Sequence, residues 1–174
     1  MELISKSLVH DGWLKVYIFK YRLEDGTIIE REVVKRNSSD NTSHSVSALV
    51  YNTKLKKYVY VKQFRHAINK NLVECVAGVL ERDDSPKETI QREILEETGY
   101  ICDNVKYLGL GYTTPGSFEE KMHMFYVEVS NRKTEGGGCE DENEDIRVLE
   151  YSKDEIKNIT FEDLKTLYLN TYIK

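Results

Sequence analysis

Apolar and polar residues alternate through "WLKVYIFKYRL" (residues 13–23), the two-residue period of a half-buried strand. Asp25-Gly26 supplies a turn and "TIIEREVV" follows, so a β-hairpin is expected near the N-terminal end. The polar stretch "KRNSSDNTSH" reads as a loop. "VSALVYN" and "YVYVKQF" read as two strands joined by "TKLKK", and "LVECVAGVL" as another that ends at Gly78. "KYLGLGYTT", "KMHMFYVEV" and "DIRVLEYS" add three more.

Two segments carry a helical period instead. In the first, Ser85 is a candidate N-cap, Pro86 takes the first helical position, Glu88 completes a capping box and Gly99 supplies the stop. Ile90, Ile94 and Thr98 are spaced by four and form the expected buried stripe. The second segment runs from Thr160 to Tyr172, with Phe161, Leu164, Leu167 and Tyr168 on one face. Strands gathered around one central helix, with no internal repeat, predict an α+β fold.

Composition excludes several classes. The 174 residues suffice for one domain with a core, and 40% apolar with 32% charged residues is an ordinary soluble balance. A net charge of -5 with no basic stripe argues against nucleic acid or anionic membrane as partner. The apolar runs are strand-length, and "MELISKSLVHDGW" lacks the apolar core of a signal peptide. Cys75, Cys102 and Cys139 fit neither a disulfide framework nor a zinc pattern, so a reduced, cytoplasmic protein is expected.

The first helix raises a question of charge. Glu88, Glu93, Glu96, Glu97 and nearby Asp84 crowd five carboxylates around it. Glu93, Glu96 and Glu97 share one face, and like charges four apart cost about 0.2–0.5 kcal/mol even when exposed. Arg92 can pair with Glu96 one turn on. Alone, such a face reads as solvated acid. A divalent cation resolves the repulsion, because Mg²⁺ takes hard oxygen ligands and bridges a few carboxylates to substrate phosphates.

The spacing around this helix carries a resemblance. From Gly78 the chain reads G-x5-D-x7-R-E-I-x-E-E-x-G-Y, ending at Tyr100. This resembles the Nudix box, with Asp84 in place of the usual first Glu. "VKQFRHAINKNLVECVAG" is similar to the ADP-ribose and GDP-mannose pyrophosphatase branch, where Q-F-R precedes E-x-x-A-G. Pro115, sixteen residues after Gly99, resembles a marker of the ADP-sugar members. "DENEDIRV" is similar to a loop of ADP-ribose pyrophosphatases, while the triple glycine before it resembles GDP-mannose hydrolases.

The resemblance implies a Nudix-type α/β/α sandwich on a mixed central sheet, with an N-terminal β-hairpin arm. It implies an arm over residues 1–36, a hydrolase domain over 44–174, and a homodimer in which the arm crosses to the partner. The implied reaction splits a nucleoside diphosphate sugar into nucleoside monophosphate and sugar phosphate with Mg²⁺ or Mn²⁺. Glu93, Glu97, Glu96 and the Ala77 carbonyl are the implied metal ligands, and Arg92 orients the carboxylates. Arg65 is expected to hold the diphosphate, and Glu74 to serve the substrate site as an acid at or just behind the metal. Glu142 is the expected base, with Glu144 or Glu97 as substitutes. Arg31, Phe118 and Glu119 are expected near the nucleotide. The rival expectations are a Nudix domain that senses a ligand without catalysis, and hydrolysis of another nucleoside diphosphate derivative. Base and sugar stay open at this level.

Overall fold

The computed structural model describes residues 1–36, 43–80, 84–138 and 145–174. Cys139, Glu142, Glu144 and most of both polar loops lie outside them. The chain divides into two compact units, Met1–His44 with Gly111–Met122, and Ser45–Leu110 with His123–Lys174.

Unit 1 is built on three antiparallel strands in the order β1 (Glu2–Asp11), β2 (Leu14–Arg22) and β3 (Ile28–Arg36). The expected hairpin is β2–β3, with Gly26 at φ 85 in its turn. The strand β1 is an addition: "ELISKSLVHD" is exposed almost throughout and carries no clean alternation. The turn after Thr114 belongs to the same unit, where Val34 N donates to Ser117 O at 2.7 Å and Glu119 N to Val34 O at 3.2 Å.

Unit 2 holds the larger sheet. Its main order is β10 (Ile146–Tyr151), β5 (Lys57–Arg65), β4 (His44–Asn52), β9 (Lys121–Arg132) and β8 (Tyr100–Tyr112). Two short strands join it, β6 (Lys70–Glu74) on β5 and β7 (Val76–Val79) on β4. The expected strand 72–80 is therefore split at Cys75, where it changes partner. The pairs β10–β5, β5–β4, β5–β6 and β4–β7 are antiparallel. Strands β4 and β9 run the same way, since Lys121 N donates to Ser43 O and Thr53 N to Val129 O. The sheet is mixed, as expected.

Both faces of this sheet are covered, which explains why β4 is buried along nearly its whole length. Val46, Ala48, Val50, Val59 and Val61 pack with Ile90 and Ile94 of α1 (Pro86–Thr98). Leu49, Tyr58 and Tyr60 point the other way, to Leu169 and Phe161 at the C-terminal end. Successive strand residues alternate between the two layers, giving the α/β/α sandwich. The C-terminal helix is shorter than expected. Within Thr160–Tyr172 it is α3 (Leu164–Leu169) followed by a single 3-10 turn, and a separate short helix α2 (Lys153–Ile156) precedes it. α3 buries Thr166 and Leu169, while Leu164, Leu167 and Tyr168 of the expected apolar face are exposed and only Phe161 of that face packs inward. Among the described residues, no helix is long and apolar enough to cross a membrane.

Candidate active site

Helix α1 starts where its cap chemistry directs. Glu88 N donates to Ser85 Oγ at 3.2 Å, Ser85 N returns a bond to Glu88 Oε2 at 3.0 Å, and Pro86 opens the helix. Glu88 is thereby committed to the capping box, and these bonds to Ser85 hold its carboxyl below the usual range. The buried stripe is Ile90, Ile94 and Thr98 as expected, with Thr89 and Glu97 added.

At the other end, each of the last four helical carbonyls has a partner, the complete answer to a helix's orphan acceptors. Gly99 N donates to Leu95 O, Gly138 N to Glu96 O, Gly137 N to Glu97 O, and Arg132 Nε to Thr98 O. The triple glycine thus forms a strap docked on α1. A Cβ on Gly136 would lie 2.5 Å from Glu97 O, and its φ of +71 suits glycine. Arg132 also stands over the Tyr100 ring at 5.5 Å and donates to Glu135 O. Sequence reading did not single out Arg132, because its partners are backbone carbonyls brought near only by folding.

The carboxylates differ in depth. Glu97 is 3% exposed, Glu93 is mostly covered and Glu96 is half open. Arg92 gathers three acids: its Nη1 lies 3.0 Å from Glu96 and 3.2 Å from Glu93, and its Nε 3.8 Å from Asp84. The pairing of Arg92 with Glu96 is as expected. Asp84 reaches Arg92 only at the long limit of an ion pair, consistent with its shorter arm.

Strand β7 supplies the floor. Ala77 pairs with Ser47 and Gly78 with Val46 across the β7–β4 register. A Cβ on Gly78 would stand 2.0 Å from the Glu93 carboxyl carbon and 2.2 Å from Oε1. Glycine is needed here for space, so that the Glu93 carboxylate can lie on the strand at Gly78, the residue after Ala77. This all-oxygen set of hard donors, with two covered glutamates, fits a small divalent cation. Among the described residues, no group of three or more His, Cys, Asp or Glu side chains is arranged to hold a metal ion.

A second charged cluster adjoins the first along the chain. Glu74 ends β6, three residues before Ala77, and is 2% exposed. It accepts from Arg65 Nε at 2.6 Å and from Lys165 Nζ at 2.7 Å. Lys165 was missed, for it reaches Glu74 across 91 residues of sequence. Arg31, Phe118 and Glu119 belong to unit 1. Arg31 donates to Glu30 O, Phe118 lies under the Arg36 guanidinium, and Glu119 pairs with Lys35. Also in unit 1, Glu120 is buried between Arg36 and Thr113, an unforeseen pairing. A cleft of about 500 Å³ opens beside the glycine strap, lined by Arg132, Glu135, Ile146, Arg147 and Glu150. No α1 carboxylate lines it.

The family model described as NUDIX domain matches residues 42–168. The chain belongs to this family. As a Nudix protein it is 35% identical over 186 aligned positions to the GDP-mannose pyrophosphatase of Escherichia coli (strain K12), covering 99% of this chain and 94% of that one. It is 34% identical over the same span to the GDP-mannose pyrophosphatase of Shigella flexneri, with the same coverage. Its fold resembles a solved structure described as "Crystal structure of ADP compounds hydrolase", with a TM-score of 0.79 over 96% of this chain and 88% of that one at 14% identity. The Nudix box thus coincides with α1 and its flanks.

Proposed function

We propose that this chain hydrolyses the diphosphate bond of a nucleoside diphosphate sugar, releasing a nucleoside monophosphate and a sugar phosphate. The observation that carries the reading is the α1 pair, Glu97 inside the protein and Glu93 laid on Gly78. GDP-mannose is the first candidate substrate, supported by nearly full-length relatives bearing that activity. ADP-ribose is the second, supported by the "DENEDIRV" run.

Glu93, Glu96, Glu97 and the Ala77 carbonyl would hold Mg²⁺ or Mn²⁺. Bound there, the cation would neutralise charge around phosphorus and lower the pKa of water. Arg92 keeps the outer carboxylates in place through charge-assisted bonds. Arg65, held by Glu74, offers its guanidinium fork to the diphosphate. Glu142 takes the proton of the attacking water, with Glu144 or Glu97 in reserve. Attack at one phosphorus needs no covalent intermediate. Cys75 fits that view, because burial pushes its thiol up to about 12.

Residues 1–36 are assigned as an arm contributing to a homodimer, and 44–174 as the hydrolase domain, acting in the cytoplasm. Arg31, Phe118 and Glu119 are assigned to the nucleotide on resemblance alone. The test is phosphate release, coupled to a phosphatase, from GDP-mannose, ADP-ribose and related nucleotide sugars. Turnover of one or more supports the reading; a folded protein that turns over none of them sinks it.

A further inference from the structure

Glu74 is a buried carboxylate shared by two cations. Its Oε2 accepts from Arg65 Nε and its Oε1 from Lys165 Nζ. Lys165 is itself held, 3.0 Å from Asp163 Oδ2, and its side chain is mostly covered. Asp163 is the N-cap of α3 and accepts from Thr166 N at 2.9 Å and Thr166 Oγ1 at 2.6 Å. The same Thr166 hydroxyl accepts from Cys75 N at 2.8 Å, tying α3 to the junction of β6 and β7. The result is a chain of alternating charge, Asp163, Lys165, Glu74, Arg65, fixed at its inner end.

This chain governs how Arg65 is presented. A guanidinium facing a lone carboxylate settles into two parallel bonds, fork to fork. Lys165 occupies the second oxygen of Glu74, so Arg65 engages through Nε alone. Its side chain remains 39% exposed, and its two Nη groups donate to none of the described residues.

We propose that Lys165 is a positioning residue for diphosphate recognition: by taking one oxygen of Glu74, it leaves the Arg65 fork open to phosphoryl oxygens. This rests on the reading of Arg65 as the diphosphate clamp. The test is a double-mutant cycle of Arg65→Ala and Lys165→Met on the full chain, with kcat and KM for GDP-mannose and ADP-ribose at saturating Mg²⁺. Arg65→Ala alone is expected to raise KM about tenfold, the loss of a charge-assisted contact. Lys165→Met is expected to raise KM several-fold with kcat within about twofold, and to add less than twofold once Arg65 is gone. If Lys165→Met does not fold, the cycle is run with Lys165→Arg. That variant keeps the charge but competes bidentately for Glu74, and the same non-additivity is expected. An unchanged KM in Arg65→Ala overturns the clamp reading, and the role of Lys165 falls with it. A KM effect of Arg65→Ala together with a Lys165 effect that is absent, or equal in both backgrounds, overturns the inference about Lys165 alone.

Discussion

The Glu93 carboxylate occupies the space that a side chain at Gly78 would need, 2.0 Å from the position of a Cβ. Strand β7 and helix α1 are thus matched at one point, where a backbone without a side chain meets an acid. Gly78→Ala forces the end of a flexible side chain to move, not the backbone. The fold should survive with Tm within a few degrees, while Mg²⁺-dependent activity falls about tenfold or more. Thermal melts and a Mg²⁺ titration of turnover check this; unaltered activity would mean that the placement of Glu93 is irrelevant.

The glycine strap offers a contrast in backbone strain. Gly136 has φ +71 and backbone 2.5 Å from its would-be Cβ, whereas Gly26 has φ +85 with nothing within 4 Å. Gly136→Ala should cost at least about 2 kcal/mol, and Gly26→Ala about 1 kcal/mol. Urea denaturation of both variants decides. Equal losses would argue that the strap is not fixed on α1.

Arg92 holds Asp84, Glu93 and Glu96 together. Arg92→Gln should lower stability by about 1 kcal/mol in chelator, and added Mg²⁺ should narrow the gap to the wild type, since the ion takes over neutralisation. Melting curves with and without Mg²⁺ provide the comparison. A gap indifferent to Mg²⁺ would count against these acids as ligands.

Asp163 gives a pH prediction. Burial alone would raise its pKa, but Lys165 and the Thr166 bonds together hold it below the ordinary value of 3.8. A depressed carboxylate contributes stability above its unfolded pKa and loses it as pH falls through its folded pKa. The stability difference between wild type and Asp163→Asn should therefore be constant above about pH 4 and shrink in more acidic solution. Urea melts from neutral to acid pH measure it, and a difference that grows toward low pH would contradict the arrangement.

Legibility in the sequence followed locality. The bounds of α1 were readable because Ser85, Pro86, Glu88 and Gly99 act on their own backbone neighbourhood. The alternation in β2 and the acidic face of α1 were readable for the same reason. Strand β1 was not, because a strand exposed on most of its length needs no periodic pattern. Leu164 and Leu167 suggested a buried face, but α3 is only six residues and turns Thr166 and Leu169 inward. Lys165 and Arg132 were invisible, since their partners come from distant sequence. The triple glycine reads from sequence as a mobile loop, because glycines serve slack loops and tight backbone contacts alike, whereas its bonds to Glu96 and Glu97 dock it on α1.

The most direct test of the central claim is turnover of GDP-mannose by wild type and Glu97→Gln, each with Mg²⁺ and with chelator. The α1 carboxylates predict that wild-type turnover requires the metal and that Glu97→Gln loses at least about a hundredfold while staying folded. Turnover that persists in chelator, or a Glu97→Gln rate close to wild type, would contradict the assignment of α1 as the metal-holding centre.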